Sequence, residues 1–248
     1  MIRIKTFLIA TLAGLMASQA NAETIYFTSE DGLKVAGELY MPHPETAPFI
    51  ILFHQANWSR GEYNEIAPEL NKLGFNCLAV DLRSGDEVNG VKNITKQNAL
   101  RGMKETQYVN AIPDMKAAIK FASDTYSKGK LIIWGSSYSS ALSLKLAGDL
   151  GNSISAVLAF SPGEYFVSQG KPRDFITSSA GNITQPVFVT SSRDEKNTWW
   201  GIYVAIPSDN KQYFLPKTSG NHGSRALWSK FSDSPNYWSA VTKFLKSI

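Results

Sequence analysis

Short, largely apolar runs recur along this chain, and longer amphipathic segments separate them. The apolar runs cover residues 49–53, 75–80, 130–134, 154–160 and 186–190. Runs of this length, rich in β-branched residues, predict strands that are buried on both faces. Segments with helical spacing of apolar residues lie at 62–73, 108–126, 141–147, around 199–203 and at 238–248. The alternation predicts an α/β fold with a mostly parallel central sheet and helices on both faces.

The N-terminal hairpin and the less regular segments of the chain complete the predicted fold. Residues 24–27 and 33–40 are strand-like, and the Asp31-Gly32 pair between them predicts an antiparallel hairpin at one edge of the sheet. The polar stretch 86–106 lacks periodicity and predicts a long loop. Residues 161–185, broken by Gly and Pro, predict a short insertion, and residues 212–215 predict the last strand.

The N-terminus has the pattern of a secretory signal peptide. Arg3 and Lys5 precede an apolar stretch at 6–17, and Ala20-Asn21-Ala22 has the small-x-small form of a cleavage site. The stretch is too short for a membrane span. We therefore expect residues 1–22 to be removed, which leaves a periplasmic or secreted single domain at 23–248 with no membrane span.

Charge and cysteine content narrow the possible functions. The formal net charge of +4 falls by two when Arg3 and Lys5 are removed, and no Lys/Arg-rich run is present. This near balance argues against nucleic acid as a partner. The single cysteine, Cys77, lies in a predicted strand and is expected to be a buried, inert thiol. The oligomeric state is left open.

The candidate nucleophile lies between a predicted strand and a predicted helix. The sequence Gly135-Ser136-Ser137-Tyr138-Ser139 follows an apolar run and precedes a helical pattern. Strand, Gly-x-Ser-x-small and helix are the layout of a nucleophile elbow, with Ser137 at its tip. Small neighbours two residues away let strand and helix approach closely. Ser139 replaces the usual second glycine, and the turn remains feasible with slightly more crowding.

A base and an acid follow in the order that this kind of elbow requires. A serine hydrolase needs an imidazole base and a carboxylate that orients it. Ser137, Asp194 and His222 each come after a predicted strand, and only three histidines are present in the chain. We predict His222 as the base and Asp194 as the acid, with the adjacent Glu195 as its main competitor and Asp209 as another.

Two backbone N–H groups are candidates for the oxyanion hole. Tyr138 follows the nucleophile and supplies one donor, and the loop after residue 53 supplies the other. We predict Ala56 for this role, with Gln55 as the alternative. His54 would then support this loop, and His43, in a turn-rich connection, is expected to be structural or solvated.

These motifs together resemble the α/β-hydrolase superfamily, and its dienelactone hydrolase-like esterase and peptidase branches most. The resemblance covers about residues 24–247 and rests on residues 53–56, 81–85, 135–139, 192–194 and 221–223. It implies hydrolysis of ester, thioester, lactone or amide bonds with no metal or organic cofactor. Dienelactone hydrolases proper use a cysteine where this chain has Ser137.

The sequence thus predicts a secreted serine hydrolase that cleaves a small ester or related acyl substrate. Aromatic residues in or beside the loops at this sheet edge could wall an apolar acyl pocket: Trp58, Tyr165, Trp199 and Trp200. Two alternatives stay open. One is an exopeptidase or amidase of the same fold, and the other is an inactive hydrolase fold that serves in binding.

Overall fold

The structure is a computed structural model and describes residues 22–248. The predicted signal peptide lies outside the described residues except for its last position, Ala22. None of the helices found within residues 22–248 is both long enough and apolar enough to cross a membrane.

Within the described residues, ten strands form one large sheet and one small hairpin. They are β1 (Glu23–Thr28), β2 (Lys34–Tyr40), β3 (Phe49–Phe53), β4 (Asn76–Val80), β5 (Glu87–Val88), β6 (Val91–Lys92), β7 (Leu131–Ser136), β8 (Ala156–Phe160), β9 (Val187–Thr190) and β10 (Lys211–Phe214). The central sheet has the order β1-β2-β4-β3-β7-β8-β9-β10. Its β1–β2 and β2–β4 pairs are antiparallel, and all other neighbours are parallel. The predicted mostly parallel sheet with an antiparallel hairpin is therefore confirmed.

Helices cover both faces of this sheet. They are α1 (Ile66–Lys72), α2 (Ile94–Arg101), α3 (Ile112–Thr125), α4 (Tyr138–Leu150), α5 (Thr177–Ala180), α6 (Lys196–Ala205) and α7 (Ser234–Leu245). In β3, Phe49, Ile51 and Phe53 join the core beneath α3 and α4. The alternate residues Ile50 and Leu52 join the core beneath α1 and α7. Burial on two faces explains why the strand is apolar at every position.

The helix predicted at 62–73 begins later than expected. A 3₁₀ turn at Arg60–Tyr63 comes first, and α1 starts at Ile66. Pro68 is the reason, because proline has no N–H and its ring clashes with the carbonyl four residues earlier. It is tolerated only in the first turn, so the helix cannot extend back through residue 62.

The long loop predicted at 86–106 is wrong in part. The segment forms the two-strand hairpin β5–β6, followed by α2. The Asn93 side chain caps α2 by accepting a hydrogen bond from the Lys96 N–H at 2.7 Å. The buried positions of α2 are Thr95 and Ala99, so its inner face carries no large apolar residue that a hydrophobic pattern could reveal.

Candidate active site

Ser137 lies at the turn between β7 and α4 in a backbone conformation that side chains rarely adopt. Its φ is 58° and its ψ is −124°. Its N–H donates to the Phe160 carbonyl at 2.7 Å, and the side chain is half-buried between fully buried neighbours. Strained backbone of this kind costs about 1–3 kcal/mol and is concentrated at functional sites. The predicted elbow geometry is present.

The two small residues of the elbow have different roles. A Cβ at Gly135 would lie 2.4 Å from the Ser139 carbonyl oxygen and from the Ser140 Cα, so only glycine fits there. Ser139 has room for its hydroxyl, which accepts from the Ser136 N–H at 2.9 Å and donates to the Phe53 carbonyl at 2.8 Å. The serine therefore ties the elbow to β3 instead of crowding it.

The predicted base, His222, lies on the loop after β10 and is paired with a carboxylate. Its Nδ1 is hydrogen-bonded to Glu195 Oε1. The second oxygen of Glu195 accepts from Ser161 Oγ at 2.8 Å and from the Ser192 N–H at 3.1 Å. Burial alone would raise the pKa of Glu195, but these hydrogen bonds and the nearby imidazole hold it below its ordinary value. The acid is therefore ionised at neutral pH.

Ser161 also joins the acid loop to the base loop. Its hydroxyl donates to Glu195 and accepts from the Gly223 N–H at 2.9 Å. Ser161 itself has a φ of 57°, and its N–H donates to the Thr190 carbonyl at the end of β9. The His222–Glu195 pair is thus attached to the carboxyl ends of β8 and β9, beside the elbow at the end of β7.

The prediction of Asp194 as the acid is wrong in this structure. The Asp194 side chain is exposed, and no hydrogen bond joins it to His222 in the described part of the chain. Residues 193–195 form a 3₁₀ turn in which Glu195 reaches back to the Ser192 N–H. This turn directs Glu195 inward. The Ser-x-x-Glu spacing at Ser192 is a capping-box signal that could have favoured Glu195 from the sequence.

Ser137 and His222 come from loops that touch each other. The Ser224 N–H donates to Ser136 Oγ at 2.8 Å, joining the residue before the nucleophile to the base loop. No hydrogen bond joins the Ser137 hydroxyl to His222 within residues 22–248. Catalytic hydrogen bonds in ligand-free sites are often long and tighten only when substrate binds.

The structure separates the two candidates for the second oxyanion donor. The Gln55 N–H donates to Glu62 Oε2 at 2.7 Å and is therefore occupied. The Ala56 N–H donates to no protein acceptor in the part of the chain that the structure describes, and Ala56 is half-buried. Tyr138 is the first residue of α4, where N–H groups have no acceptor within the helix. Ala56 and Tyr138 remain the predicted pair.

The other two histidines are structural, as predicted. His54 is fully buried, its Nε2 accepts from the Leu82 N–H at 2.8 Å, and its Nδ1 therefore donates to the Gln55 carbonyl at 2.7 Å. Burial lowers the pKa of His54. His43 contacts the Asn71 carbonyl through Nε2 at 2.7 Å. His54 thus fixes the loop that carries Ala56.

Two of the four aromatic residues predicted for an acyl pocket have no hydrogen bond or ring contact with the His222–Glu195 pair within residues 22–248. Trp199 is fully buried and donates to Ser191 Oγ at 2.8 Å, so its assignment to a substrate pocket is wrong. Trp200 packs against Tyr203 and Tyr213, by the edge strand β10. Neither contact places these rings over the elbow.

The other two, Trp58 and Tyr165, lie near the pair. Trp58 stacks on Trp228 at 5.2 Å between ring centroids, and the Arg225 guanidinium lies 6.0 Å from the Trp58 ring. Arg225 Nε donates to the His222 carbonyl at 3.1 Å. The Tyr165 hydroxyl donates to the Ser161 carbonyl at 2.8 Å. Trp58 and Tyr165 therefore lie beside the base and acid loops, and their assignment to a substrate pocket stays a prediction.

Solved structures share this architecture. An esterase of Pyrococcus furiosus matches with a TM-score of 0.71 at 22% identity, over 92% of each chain. A dienelactone hydrolase from Anabaena variabilis gives 0.70 at 13% identity, over 92% of this chain and 98% of that one. A carboxyl esterase from Bacillus coagulans gives 0.67 at 12% identity, over 92% and 98%. No family model and no curated protein matches the sequence. The chain has the α/β-hydrolase fold, as its sequence motifs predicted.

Proposed function

We propose that this protein is a secreted serine carboxylesterase whose triad is Ser137, His222 and Glu195. The observation that carries the proposal is the His222–Glu195 pair, held on loops that contact the Ser137 elbow. A histidine hydrogen-bonded to an ionised carboxylate through Nδ1 presents Nε2 as a base. The esterases with the same fold add support.

The reaction would proceed through an acyl-enzyme. His222 accepts the Ser137 proton as the hydroxyl oxygen attacks the ester carbonyl carbon, and Glu195 stabilises the imidazolium. The N–H groups of Tyr138 and Ala56 bind the oxyanion of the tetrahedral intermediate. The intermediate collapses when His222 returns the proton to the departing alcohol. Water, activated by the same imidazole, then releases the acid and regenerates Ser137.

Labelling with a fluorophosphonate probe tests this function directly. The wild type should be labelled at Ser137, and Ser137→Ala should not. Ser143→Ala is the matched control, because Ser143 lies on α4 and its hydroxyl donates to the Ser139 carbonyl at 2.8 Å. A folded wild type that takes no label would contradict the proposal and favour an inactive fold used for binding.

Substrate class and export need separate measurements. p-Nitrophenyl esters of increasing chain length, compared with aminoacyl anilides, distinguish an esterase from a peptidase or amidase. We expect turnover of the short esters, and faster cleavage of the anilides would overturn the assignment. Sequencing the N-terminus of the exported protein should give Glu23 as its first residue.

A further inference from the structure

A buried carboxylate lies beneath the candidate active site and takes no part in the triad. Glu62 belongs to the 3₁₀ turn between β3 and α1, and none of its surface is exposed. Its Oε2 accepts from the Gln55 N–H at 2.7 Å, and its Oε1 accepts from Ser136 Oγ at 2.7 Å. Each partner is the neighbour of a predicted functional residue, Ala56 in one case and Ser137 in the other.

The connection continues from Ser136 into the base loop. Ser136 Oγ donates to Glu62 and accepts from the Ser224 N–H at 2.8 Å, two residues after His222. Ser224 is fixed in turn, because its own hydroxyl accepts from Trp134 Nε1 at 2.9 Å. Glu62 therefore links the oxyanion loop, the nucleophile elbow and the base loop through three consecutive hydrogen bonds.

A buried carboxylate such as that of Glu62 does not stabilise the fold by itself. No Lys or Arg forms a salt bridge with Glu62 within residues 22–248, and an unpaired buried charge destabilises a protein. Burial raises the pKa of Glu62 to about 7. The hydrogen bonds from Ser136 and Gln55, and then the charges of His222 and Arg225, act in the opposite direction.

The ionisable groups around Glu62 include two from the base loop. His222 and Arg225 of the base loop are the cationic groups that act on it, and the buried phenols of Tyr63 and Tyr138 are the other titratable neighbours. The two tyrosines stay neutral because burial raises the pKa of both. The carboxylate of Glu62 therefore lies within electrostatic range of the His222 ring, on which acyl transfer creates a positive charge.

We propose that Glu62 is a positioning residue for this site: its ionised carboxylate aligns the Ala56 N–H with the elbow and stabilises the imidazolium of His222. The inference rests on the proposed esterase function. Glu62 contacts no reacting atom, and it acts through Gln55, Ser136 and the base loop.

The Glu62→Gln substitution isolates the role of the carboxylate. Glutamine has nearly the same shape, but it offers one carbonyl oxygen where two acceptor oxygens are needed. If that oxygen accepts from Gln55, the amide NH₂ faces Ser136, and the Ser136 hydroxyl loses its acceptor. The charge near His222 is lost as well. Glu65→Gln is the matched control, because Glu65 is a surface residue that accepts from Ser229 at 2.9 and 2.8 Å.

The experiment measures the rate constant for fluorophosphonate labelling of Ser137 from pH 5.5 to 9, with kcat and KM for p-nitrophenyl acetate. We expect Glu62→Gln to label at the same serine about 10- to 100-fold more slowly, the range that small misplacement of catalytic groups produces. kcat should fall by a similar factor while KM changes less than about twofold, the signature of an interaction made in the transition state. Glu65→Gln should match the wild type.

The pH dependence of the labelling rate distinguishes the proposed role from a purely structural one, which would leave this dependence unchanged. The wild-type acid limb should contain an ionisation near pH 7 that is absent in Glu62→Gln. Ser136→Ala should reproduce the part of the defect that comes from the Ser136–Glu62 hydrogen bond, and the double variant should be little worse than Glu62→Gln, because Glu62→Gln already breaks that bond.

The outcomes separate this inference from the proposed function. A wild type that takes no label at Ser137 overturns both the esterase proposal and the inference. A labelled wild type with Glu62→Gln reacting at the same rate, and with an unchanged pH profile, overturns only the role of Glu62. Thermal unfolding of every variant, recorded in parallel, identifies any loss of rate that comes from unfolded protein.

Discussion

Two histidines at the same edge of the sheet have opposite surroundings. His54 follows β3 and is completely buried, and both of its ring nitrogens are bonded to backbone groups. His222 follows β10, and its side chain is 32% exposed. Its Nδ1 is bonded to a carboxylate, and no protein group within residues 22–248 is hydrogen-bonded to its Nε2.

The difference shows what makes an imidazole a base. Proton transfer requires a nitrogen that is free to accept and a partner that stabilises the charged ring. His222 has both, whereas His54 has neither, and its burial lowers its pKa further. Both residues lie in segments that follow a strand, so their hydrogen-bond partners distinguish the catalytic candidate from the structural histidine.

The largest effect is expected from removing the free imidazole. His222→Gln should lower kcat/KM for p-nitrophenyl acetate by about 10⁴-fold or more, because the attacking hydroxyl loses its base. Its melting temperature should stay near the wild-type value, since the ring is partly exposed. The comparison would fail if His222→Gln kept substantial activity.

The next largest effect is expected from replacing Glu195, the proposed acid. Glu195→Gln should lower kcat by about 10³- to 10⁴-fold, because the amide no longer stabilises the imidazolium or fixes its tautomer. Asp194→Asn is the matched control, one residue away and exposed, and it should retain wild-type kcat. Steady-state kinetics at about pH 8 distinguishes Glu195 from Asp194 as the acid. A larger loss of kcat in Asp194→Asn than in Glu195→Gln would restore the prediction of Asp194.

His54 should affect stability and its pH dependence. Because the folded-state pKa is lowered, the unfolded chain binds a proton below about pH 6.5 that the native protein does not. The contribution of neutral His54 to the free energy of unfolding is complete above that pH, and it is lost as the pH falls toward the folded-state pKa of His54. Between pH 7.5 and 5.5, the wild type should therefore lose more unfolding free energy than His54→Gln.

Urea denaturation of both proteins at a series of pH values measures this difference. His54→Gln should also be destabilised by about 1–3 kcal/mol at pH 7.5, because one buried backbone partner is left unsatisfied. Identical pH dependence in the two proteins would show that His54 does not stay neutral in the folded state.

The smallest effect is expected from Ser139, the second small residue of the elbow. Ser139→Gly restores the usual glycine but removes the hydrogen bonds to the Phe53 carbonyl and from the Ser136 N–H. We expect a loss of about 1 kcal/mol in the free energy of unfolding and activity within about tenfold of the wild type. A stabilised Ser139→Gly, seen by chemical denaturation, would mean that the hydroxyl crowds the turn after all.

The sheet could be predicted from sequence because its strands are apolar on both faces. The elbow could be predicted for a related reason, since Gly135 and its neighbours are small where strand and helix must approach. Helix α2 could not be found, because its inner face is Thr95 and Ala99. A hydrophobic pattern carries no signal for a helix that buries only small side chains.

Errors in the candidate site came from side-chain direction rather than position along the chain. The acid loop was identified, but the 3₁₀ turn directs Glu195 and not Asp194 toward His222. The sequence predicts Trp199 beside the site, but the structure buries this ring in the core. Glu62 gave no signal at all, because its burial arises from distant parts of the chain that meet only after folding.

The position of His222 after the last strand has a consequence for the order in which the protein acquires reactivity. Within residues 22–248, strand β10 pairs only with β9 in the sheet, and His222 follows β10 in the chain. During synthesis the nucleophile emerges long before its proton acceptor. With the proposed triad, a growing polypeptide that has not yet reached His222 would carry an inert alcohol, and acyl transfer would begin only after the final edge of the sheet has docked.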